Sequence, residues 1–356
     1  ILHQYLKHHK DATDKYGKAC VLMQVGGFSE IYSSLTDEGP NMTDISAVTN
    51  CSIGVKSPNT DNAHYMIGWP KIADPKYVPI LIRDGYHVVI IEQQEGSSTH
   101  IVREITNVIS SGTAMEYNTN ENNYLMSIFI ENYKNNNKIY HGCGVSIIDV
   151  ATGRNYTTHI LDDMYNNRAY EAKVIHLMNI YSPSEVIIHN VDTGFSKDDY
   201  IHIFNIPHES VLVNFFGDKL SKFSKLPFQN EFLNKIFKFN NMLSGIENIH
   251  CSTKSETVMS YILLLEYVYQ HRKNIIQNLD LPEEIENISY LNLTKNSIRQ
   301  INIISNNNDY TGKNDSLLTI VNQCKTPLGK RLLKERILHP FINPSDIIES
   351  YEWIDL

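Results

Sequence analysis

A short stretch near the beginning of the chain combines residue types that could make a specific contact. Residues 23–32 read Met-Gln-Val-Gly-Gly-Phe-Ser-Glu-Ile-Tyr, so Gly26 and Gly27 directly precede Phe28, and Glu30 follows two residues later. Paired glycines let a backbone turn tightly or approach another surface closely. In an extended segment residues i and i+2 project to the same side, so a flat apolar ring and a hydrogen-bonding carboxylate would lie together. The alternative is a core phenylalanine and a surface glutamate after an ordinary turn.

Hydrophobic periodicity and turn residues predict the elements that would position this stretch. The apolar run from Ala19 to Val25 has the length of a strand, the glycines end it, and Phe28 to Tyr32 resumes the pattern. Helices are expected at 3–18 and 74–83, and further strands at 87–92 and 102–109. These segments indicate a small α/β domain.

The rest of the chain divides into two further regions. A polar, asparagine-rich linker is expected at 116–123. Strands expected at 125–133, 144–150, 154–160 and 185–188, with a helix at 171–181, indicate a second α/β unit. Beyond about residue 229 helical spacing dominates, with strong helices expected at 257–270 and 316–338.

Composition excludes several classes of protein. A chain of 356 residues, 42% of them hydrophobic, holds roughly two or three folded domains and is not disordered over its bulk. Five scattered cysteines without a Cys-x-x-Cys pair argue against a disulfide scaffold and against a zinc site. No apolar run approaches the ~20 residues that span a membrane, and no signal peptide is visible. We therefore expect a soluble protein of a reducing, intracellular compartment, with no membrane partner.

Familiar catalytic motifs are missing from this sequence. It contains no Gly-x-x-x-x-Gly-Lys-Ser/Thr loop that would cradle phosphates, no His-Glu-x-x-His and no Gly-x-Ser-x-Gly. The chain begins at Ile1 and ends within an expected helix, so we expect it to be part of a longer protein. A catalytic motif would then lie outside these residues.

The stretch around Phe28 resembles the mismatch-recognition signature of the MutS family, a Gly-x-Phe-x-Glu pattern after an apolar strand. Gly26, Phe28, Glu30, Ile31 and Tyr32 match that pattern, whereas Ser29 replaces the usual tyrosine and Gly27 the usual polar residue. Further blocks resemble the family in the same order along the chain. They lie at 53–70, 81–93, 102–113, 144–153, 290–303 and 315–340. The divergence of these blocks is most like that of the viral and organellar branch.

The resemblance implies a fold class and a domain layout. It implies an α/β mismatch-recognition domain at 1–117, an RNase-H-like α/β connector domain at 118–227 and the beginning of an all-α core and lever domain at 228–356. It also implies a homodimer whose ATPase domain, outside these residues, binds ATP and Mg²⁺, with no cofactor in this stretch. The parent protein would be a DNA-dependent ATPase, and a downstream repair factor could be its partner. A viral replication site, the nucleus or an organelle would all fit.

The resemblance also assigns roles to individual residues. Phe28 would wedge into duplex DNA at a mispair, Glu30 would hydrogen-bond the displaced base, and Gly26 and Gly27 would shape the turn that presents them. Among 1–116 the acidic residues outnumber the basic ones, so the region lacks the strongly basic surface of a tight, non-specific DNA binder. Candidate phosphate contacts are Lys7, Lys10, Lys56 and Lys71. For Lys7 and Lys10 the alternative is a solvated helix face.

Two other functions stay open at the level of the sequence. One is a MutS relative devoted to DNA junctions in recombination, although such forms generally lack the Phe-x-Glu element. The other is a metal-dependent nuclease on the RNase-H-like domain, which needs several converging carboxylates. The acidic residues available for it are Asp149, Glu171, Glu185 and Asp192, and they have no obvious spacing.

Overall fold

The computed structural model describes most of the chain. The residues outside the description are 37, 59, 61–62, 95–101, 115–122, 136–137, 163–167, 192, 207–210, 217–219, 252, 272–275, 277–278, 286–289, 292, 294, 305–314 and 356. The chain forms two compact units. Unit 1 comprises Ile1–Tyr117 and Leu265–Asn278, and unit 2 comprises Asn118–Leu264 and Leu279–Leu356. The predicted linker lies almost wholly outside the described residues, and the three-domain division stays a prediction.

Unit 1 is built on a mixed sheet whose six described strands follow the order β3-β4-β2-β1-β5-β6. The strands are β1 (Ala19–Val25), β2 (Phe28–Ser34), β3 (Gly54–Lys56), β4 (His64–Pro70), β5 (His87–Gln93) and β6 (Arg103–Ile109). β1 runs parallel to β5, and the other neighbouring pairs are antiparallel. β1 and β2 form a hairpin in which Val25 pairs with Phe28, so Gly26 and Gly27 make the whole turn.

Helices cover the sheet of unit 1. They are α1 (Leu2–Tyr16), α2 (Met42–Thr49) and α3 (Asp74–Arg83), the last preceded by a 3₁₀ turn at Lys71–Ala73. α1 packs on β1 and β2, and its buried Tyr5 donates a hydrogen bond from its hydroxyl to the Val21 carbonyl at 3.0 Å. α3 begins with an acidic residue and a proline, both of which favour a helix N-terminus. The predictions for β1 and α3 are confirmed to the residue.

Unit 2 contains a second sheet, with six described strands in the order β11-β10-β7-β8-β9-β12. The strands are β7 (Tyr124–Asn135), β8 (Lys138–Asp149), β9 (Asn155–Leu161), β10 (Glu185–Val191), β11 (Leu212–Phe216) and β12 (Glu283–Glu284). β7, β8 and β9 are antiparallel neighbours, whereas β10 pairs parallel with β7 on one side and with β11 on the other. The expected hairpin and the α/β character of this region are confirmed.

The helices from residue 169 onward are α4 (Ala169–Tyr181), α5 (Lys197–Ile203), α6 (Leu226–Phe237), α7 (Gly245–Asn248), α8 (Ser255–His271), α9 (Lys295–Gln300), α10 (Leu317–Val321), α11 (Pro327–Leu338) and α12 (Pro344–Asp355). No helix among the described residues is both long enough and apolar enough to cross a membrane. The change to helical structure after residue 229 is confirmed. Described strands after that point are limited to the two residues of β12.

The prediction of a single helix at 316–338 is wrong. Two helices occupy it, because α10 ends at Val321 and Asn322 takes an extended conformation. Thr326 then caps α11 by accepting a hydrogen bond from the Gly329 amide at 3.1 Å, and Pro327 follows at a position where a helix needs no amide donor. The cap and the proline are local signals for a new helix that the apolar spacing obscured.

Candidate nucleic-acid interface

The hairpin between β1 and β2 presents Phe28 to solvent. Gly26 has a φ of 59°, in the left-handed region that favours glycine, whereas Gly27 does not have a positive φ. A positive φ at the first of two turn residues is typical of a type II′ hairpin turn. Phe28 directly follows this turn and is 50% exposed, whereas Ser29 and Glu30 are buried. The ordinary alternative, a core phenylalanine and a surface glutamate, is therefore the reverse of what the structure has.

Side chains from neighbouring strands hold the turn in place. Gln24 donates from Nε2 to the Gly26 carbonyl at 3.0 Å, and its Oε1 accepts from Lys71 Nζ at 3.2 Å. Arg103 Nε donates to the Gln24 carbonyl at 3.1 Å, and the Lys71 amide donates to the Gly27 carbonyl at 2.9 Å. The loop that carries Phe28 is thus fixed by residues from β1, β6 and the 3₁₀ turn.

Lys71 has an ionic partner within unit 1. Its Nζ lies 2.5 Å from Glu92 Oε1, and this contact lowers the pKa of the Glu92 carboxyl below its ordinary value. The hydrogen bond from the ammonium is the largest cause of that shift and outweighs the opposing effect of burial. Lys71, a predicted phosphate contact, therefore already donates hydrogen bonds to Glu92 and Gln24.

Glu30 belongs to a cluster with Tyr32 and Lys56, which we call the Glu30 cluster. Its Oε2 accepts hydrogen bonds from Lys56 Nζ at 2.6 Å and from the Tyr32 hydroxyl. Lys56 Nζ also donates to the Tyr32 hydroxyl at 3.1 Å and lies 5.1 Å from the centroid of its ring. Burial and the hydrogen bond to Glu30 raise the pKa of Tyr32 far above its ordinary value, so the phenol stays protonated and donates. The carboxylate of Glu30 is thereby held by two donors.

Ser29, the departure from the family pattern, faces the opposite side of β2 and has a structural contact. Its hydroxyl donates to Asp74 Oδ2 at 3.0 Å, and the indole of Trp69 donates to the other oxygen, Oδ1, at 2.7 Å. Asp74 is the first residue of α3, so the serine ties the strand that carries Phe28 and Glu30 to a helix.

The four lysines predicted as phosphate contacts fall into two groups. Lys56 and Lys71 lie beside the hairpin and are engaged in ion pairs. Lys7 and Lys10 lie exposed on α1, and no contact among the described residues joins them to the Glu30 cluster. The structure therefore places Lys71 beside the turn and the Lys56 ammonium on Glu30, whereas Lys7 and Lys10 are exposed on α1.

Tyr32, Gln24 and Arg103 contact the hairpin residues without being predicted to do so by the motif. Tyr32 continues the i, i+2 alternation of Phe28 and Glu30, so the period of a strand already places it on their side. Gln24 and Arg103 carry no local signal, because their contacts depend on the pairing of β5 with β1 and β6.

The carboxylates considered for a nuclease make separate local contacts. Asp149 accepts from the Ala151 amide at 3.0 Å and from the Thr152 hydroxyl at 2.7 Å, which closes a turn. Glu185 is buried and accepts from Asn214 at 2.5 Å, and Glu171 pairs with Arg168 at 3.2 Å. Asp192 lies outside the described residues. Within the described part of the chain, no three His, Cys, Asp or Glu residues are grouped so as to hold a metal ion.

Comparison with protein families identifies the chain. Residues 3–118 match the family model of MutS domain I, and residues 296–356 match that of MutS domain III. The chain belongs to the MutS family. The domain I match covers the hairpin, the Glu30 cluster and the residues that brace the turn.

Individual MutS relatives cover nearly all of this chain. A DNA mismatch repair protein mutS homolog of Acanthamoeba polyphaga mimivirus is 28% identical over 96% of this chain and 33% of its own length. The DNA mismatch repair protein MutS of Caldanaerobacter subterraneus is 26% identical over 100% of this chain and 37% of its own length. The chain thus spans about a third of these MutS proteins.

Among solved structures, the fowlpox virus Holliday junction resolvase matches 41% of this MutS chain and 99% of its own length. Its sequence identity is 14% and its TM-score is 0.27. A TM-score this low establishes neither a shared fold nor a shared function.

Proposed function

We propose that this chain recognises mismatched or looped duplex DNA as the recognition part of a MutS-type mismatch repair protein. The observation that carries the proposal is Phe28, an aromatic ring half exposed at the tip of a braced hairpin. The match of this region to MutS domain I and the names of the relatives support it. A ring that only packed in the core would be buried, as the side chains of Ile31 and Tyr32 in the same strand are.

The physical basis of recognition is the ease with which a mispaired step deforms. Bending a DNA site costs roughly 1–6 kcal/mol, and flexible steps cost less. An apolar side chain inserted from the minor groove unstacks a step and holds the kink. Stacking between an aromatic ring and a base contributes about 1–3 kcal/mol and tolerates any base. Phe28 would thus select a site by its deformability rather than by its sequence.

Glu30 would contribute discrimination rather than affinity. A carboxylate beside DNA phosphates is repelled, so it weakens binding to every duplex. At a mispair the displaced base offers a hydrogen bond that offsets this loss, and a protonated carboxyl could itself donate to a base nitrogen. A matched pair offers no such bond, so Glu30 would lower the affinity for matched duplex relative to that for mispaired duplex.

The finer architecture follows as a proposal for the regions after unit 1. The order of β9, β8, β7, β10 and β11, with three antiparallel strands continued by two parallel ones, supports an RNase-H-like connector. The match of 296–356 to MutS domain III supports a core and lever assignment for the helical region. For the whole protein we propose a homodimer, an ATPase domain that binds ATP and Mg²⁺, and a downstream repair partner.

The test is fluorescence anisotropy of the full-length protein on matched and G·T-mispaired duplexes at one salt concentration. Wild type should prefer the mispaired duplex, and Phe28→Ala should lose about tenfold in affinity for it, since one base–aromatic stack is removed. Leu35→Ala is the matched control, because Leu35 is 48% exposed and follows the opposite end of β2. A wild type without preference, or a Phe28→Ala variant that keeps it, would contradict the proposal, and junction binding would then be measured.

A further inference from the structure

The Glu30 carboxylate is already occupied in the unbound protein. Only 8% of the residue is exposed, and its Oε2 accepts hydrogen bonds from the ammonium of Lys56 at 2.6 Å and from Tyr32. Lys56 is the last residue of the edge strand β3, which reaches Glu30 across β4. Its side chain is 36% exposed, so the ammonium is open to solvent on one side while it holds the carboxylate on the other.

We propose that Lys56 is a specificity-determining residue, which competes with the displaced base for Glu30. The inference rests on the proposed function and adds a residue to that site. In the free protein and on matched duplex, Lys56 keeps Glu30 paired and its charge neutralised. At a mispair, Glu30 exchanges the lysine for the base, and the ammonium is released to solvent, which it already reaches on its exposed side.

This exchange has opposite consequences for the two kinds of duplex. On matched DNA the closed pair cancels the repulsion between Glu30 and the phosphates, so Lys56 raises affinity for the duplex that must be scanned. On mispaired DNA the pair has to open before the base can bind, so Lys56 lowers affinity there. The attraction of Lys56 itself to phosphates is common to both duplexes and cancels in the ratio of affinities. Lys56 therefore reduces the difference between the affinity for mispaired DNA and the affinity for matched DNA.

The competing interpretation is that Lys56 is a phosphate contact only, as the sequence suggests. Loss of its charge would then lower the affinity for both duplexes by the same factor, whatever residue is at position 30. The two interpretations are separated by a double-mutant cycle between Lys56 and Glu30, because only the exchange makes the effect of one substitution depend on the other.

The cycle uses the full-length protein with Lys56→Met, Glu30→Gln and the double variant, on matched and G·T-mispaired duplexes at fixed salt. Lys56→Met removes the charge and keeps most of the aliphatic stem. We expect it to raise the mispaired-to-matched affinity ratio by about fivefold, the upper end for a partly exposed ion pair. In the Glu30→Gln background the same substitution should leave the ratio unchanged. Glu30→Gln alone should not lower affinity for matched duplex.

The matched control is Lys18→Met. Lys18 lies in the same unit, pairs with Asp84 at 2.7 Å and sits 4.3 Å from the centroid of the Tyr86 ring, so it repeats the charge and the surroundings of Lys56 away from Glu30. It should leave the affinity ratio at the wild-type value. A ratio that rises equally in Lys18→Met would show a general charge effect and would overturn the proposal.

A second readout needs no DNA. Brief acetylation of the free protein, followed by peptide mass spectrometry, reports how strongly each lysine ammonium is held. Lys56 should react several times faster in Glu30→Gln than in wild type, and Lys18 should react equally in both. Equal Lys56 reactivity, or a ratio that Lys56→Met does not raise, overturns the exchange. A wild type that does not distinguish the duplexes overturns the proposed function instead, and the acetylation result then shows separately whether the ion pair exists.

Discussion

At the scale of single residues, the hairpin inverts the usual assignment of an aromatic and an acidic side chain. Phe28 is exposed and Glu30 is buried, although they share one face of β2. The burial of Glu30 is sustained by its ion pair with Lys56 and by the Tyr32 hydroxyl, because a buried carboxylate without donors would be costly. Phe28 is exposed at the end of the sheet, where it directly follows the turn and pairs with Val25 on one side and Pro70 on the other.

The two turn glycines should therefore differ in their response to substitution. Gly26→Ala places a side chain at a positive φ and should lower the free energy of unfolding by about 1 kcal/mol. Gly27→Ala meets no atom within 4 Å of the added carbon and has no positive φ, so stability should be unchanged. Urea unfolding of both variants beside wild type measures this. Equal losses at the two positions would contradict the turn geometry.

At the scale of elements, the beginning of α8 lies directly on β8. An added Cβ at Gly144 would be 2.1 Å from the Glu256 carbonyl oxygen, so only glycine permits this approach. At the same place the Tyr133 hydroxyl donates to Glu256 Oε1 at 2.8 Å, and His159 Nε2 lies 3.0 Å from Oε2. The buried carboxylate of Glu256 thus joins α8 to β7 and β9, while its backbone lies against β8.

This junction should make the stability of unit 2 depend on pH. Burial pushes the pKa of Glu256 upward, but hydrogen bonds from His159, its own backbone, Tyr133 and Ser255 outweigh it and lower the pKa to about 2. A carboxyl whose pKa is lowered by folding stabilises the folded state at pH values above its unfolded pKa of about 4.3. That contribution is lost as the pH falls towards 2. The gap in urea midpoint between wild type and Glu256→Gln should be largest above about pH 5 and should narrow below it.

The control for this measurement is Glu231→Gln, which changes an exposed glutamate on α6. Its midpoint should stay close to wild type at every pH. A gap for Glu256→Gln that is constant from neutral pH to pH 3 would show that the carboxylate contributes no titrating stabilisation.

At the scale of the whole molecule, the chain carries 40 acidic against 31 basic residues, a formal charge of −9. This excess of acidic residues does not favour non-specific attraction to DNA, because that attraction comes from lysine and arginine neutralising phosphates. Two of the four predicted phosphate contacts, Lys56 and Lys71, are moreover engaged with glutamates. Under the proposed function, deformability of the DNA site then contributes more to discrimination than electrostatic affinity does.

The salt dependence of binding tests the two remaining lysines. If Lys7 and Lys10 contact phosphates, Lys7→Gln/Lys10→Gln should reduce the slope of log affinity against log salt by about 1.8 and weaken both duplexes equally. Anisotropy titrations over a range of salt concentrations measure the slope. Lys173→Gln/Lys197→Gln removes the same charge from exposed positions on α4 and α5 and should leave it unchanged. Equal slopes for both double variants and wild type would mean that Lys7 and Lys10 form a solvated face.

The sequence by itself determined the features that depend on neighbouring residues. The limits of β1 and α3, the glycine turn and the shared side of Phe28 and Glu30 all follow from periodicity and turn chemistry within a few residues. The break between α10 and α11 is also encoded locally, by Thr326 and Pro327, although the apolar spacing across it predicts one continuous helix.

Only the tertiary structure decided which partners those residues have. Lys56 is 26 positions from Glu30, and Arg103 is 79 positions from Gln24, so neither contact leaves a trace in local periodicity. They exist because pairing in the sheet places β3 one strand away from β2, across β4, and β6 one strand away from β1, across β5. The exposure of Phe28 and the burial of Glu30 follow from that packing, since a two-residue period assigns side chains to a face but not to solvent or core.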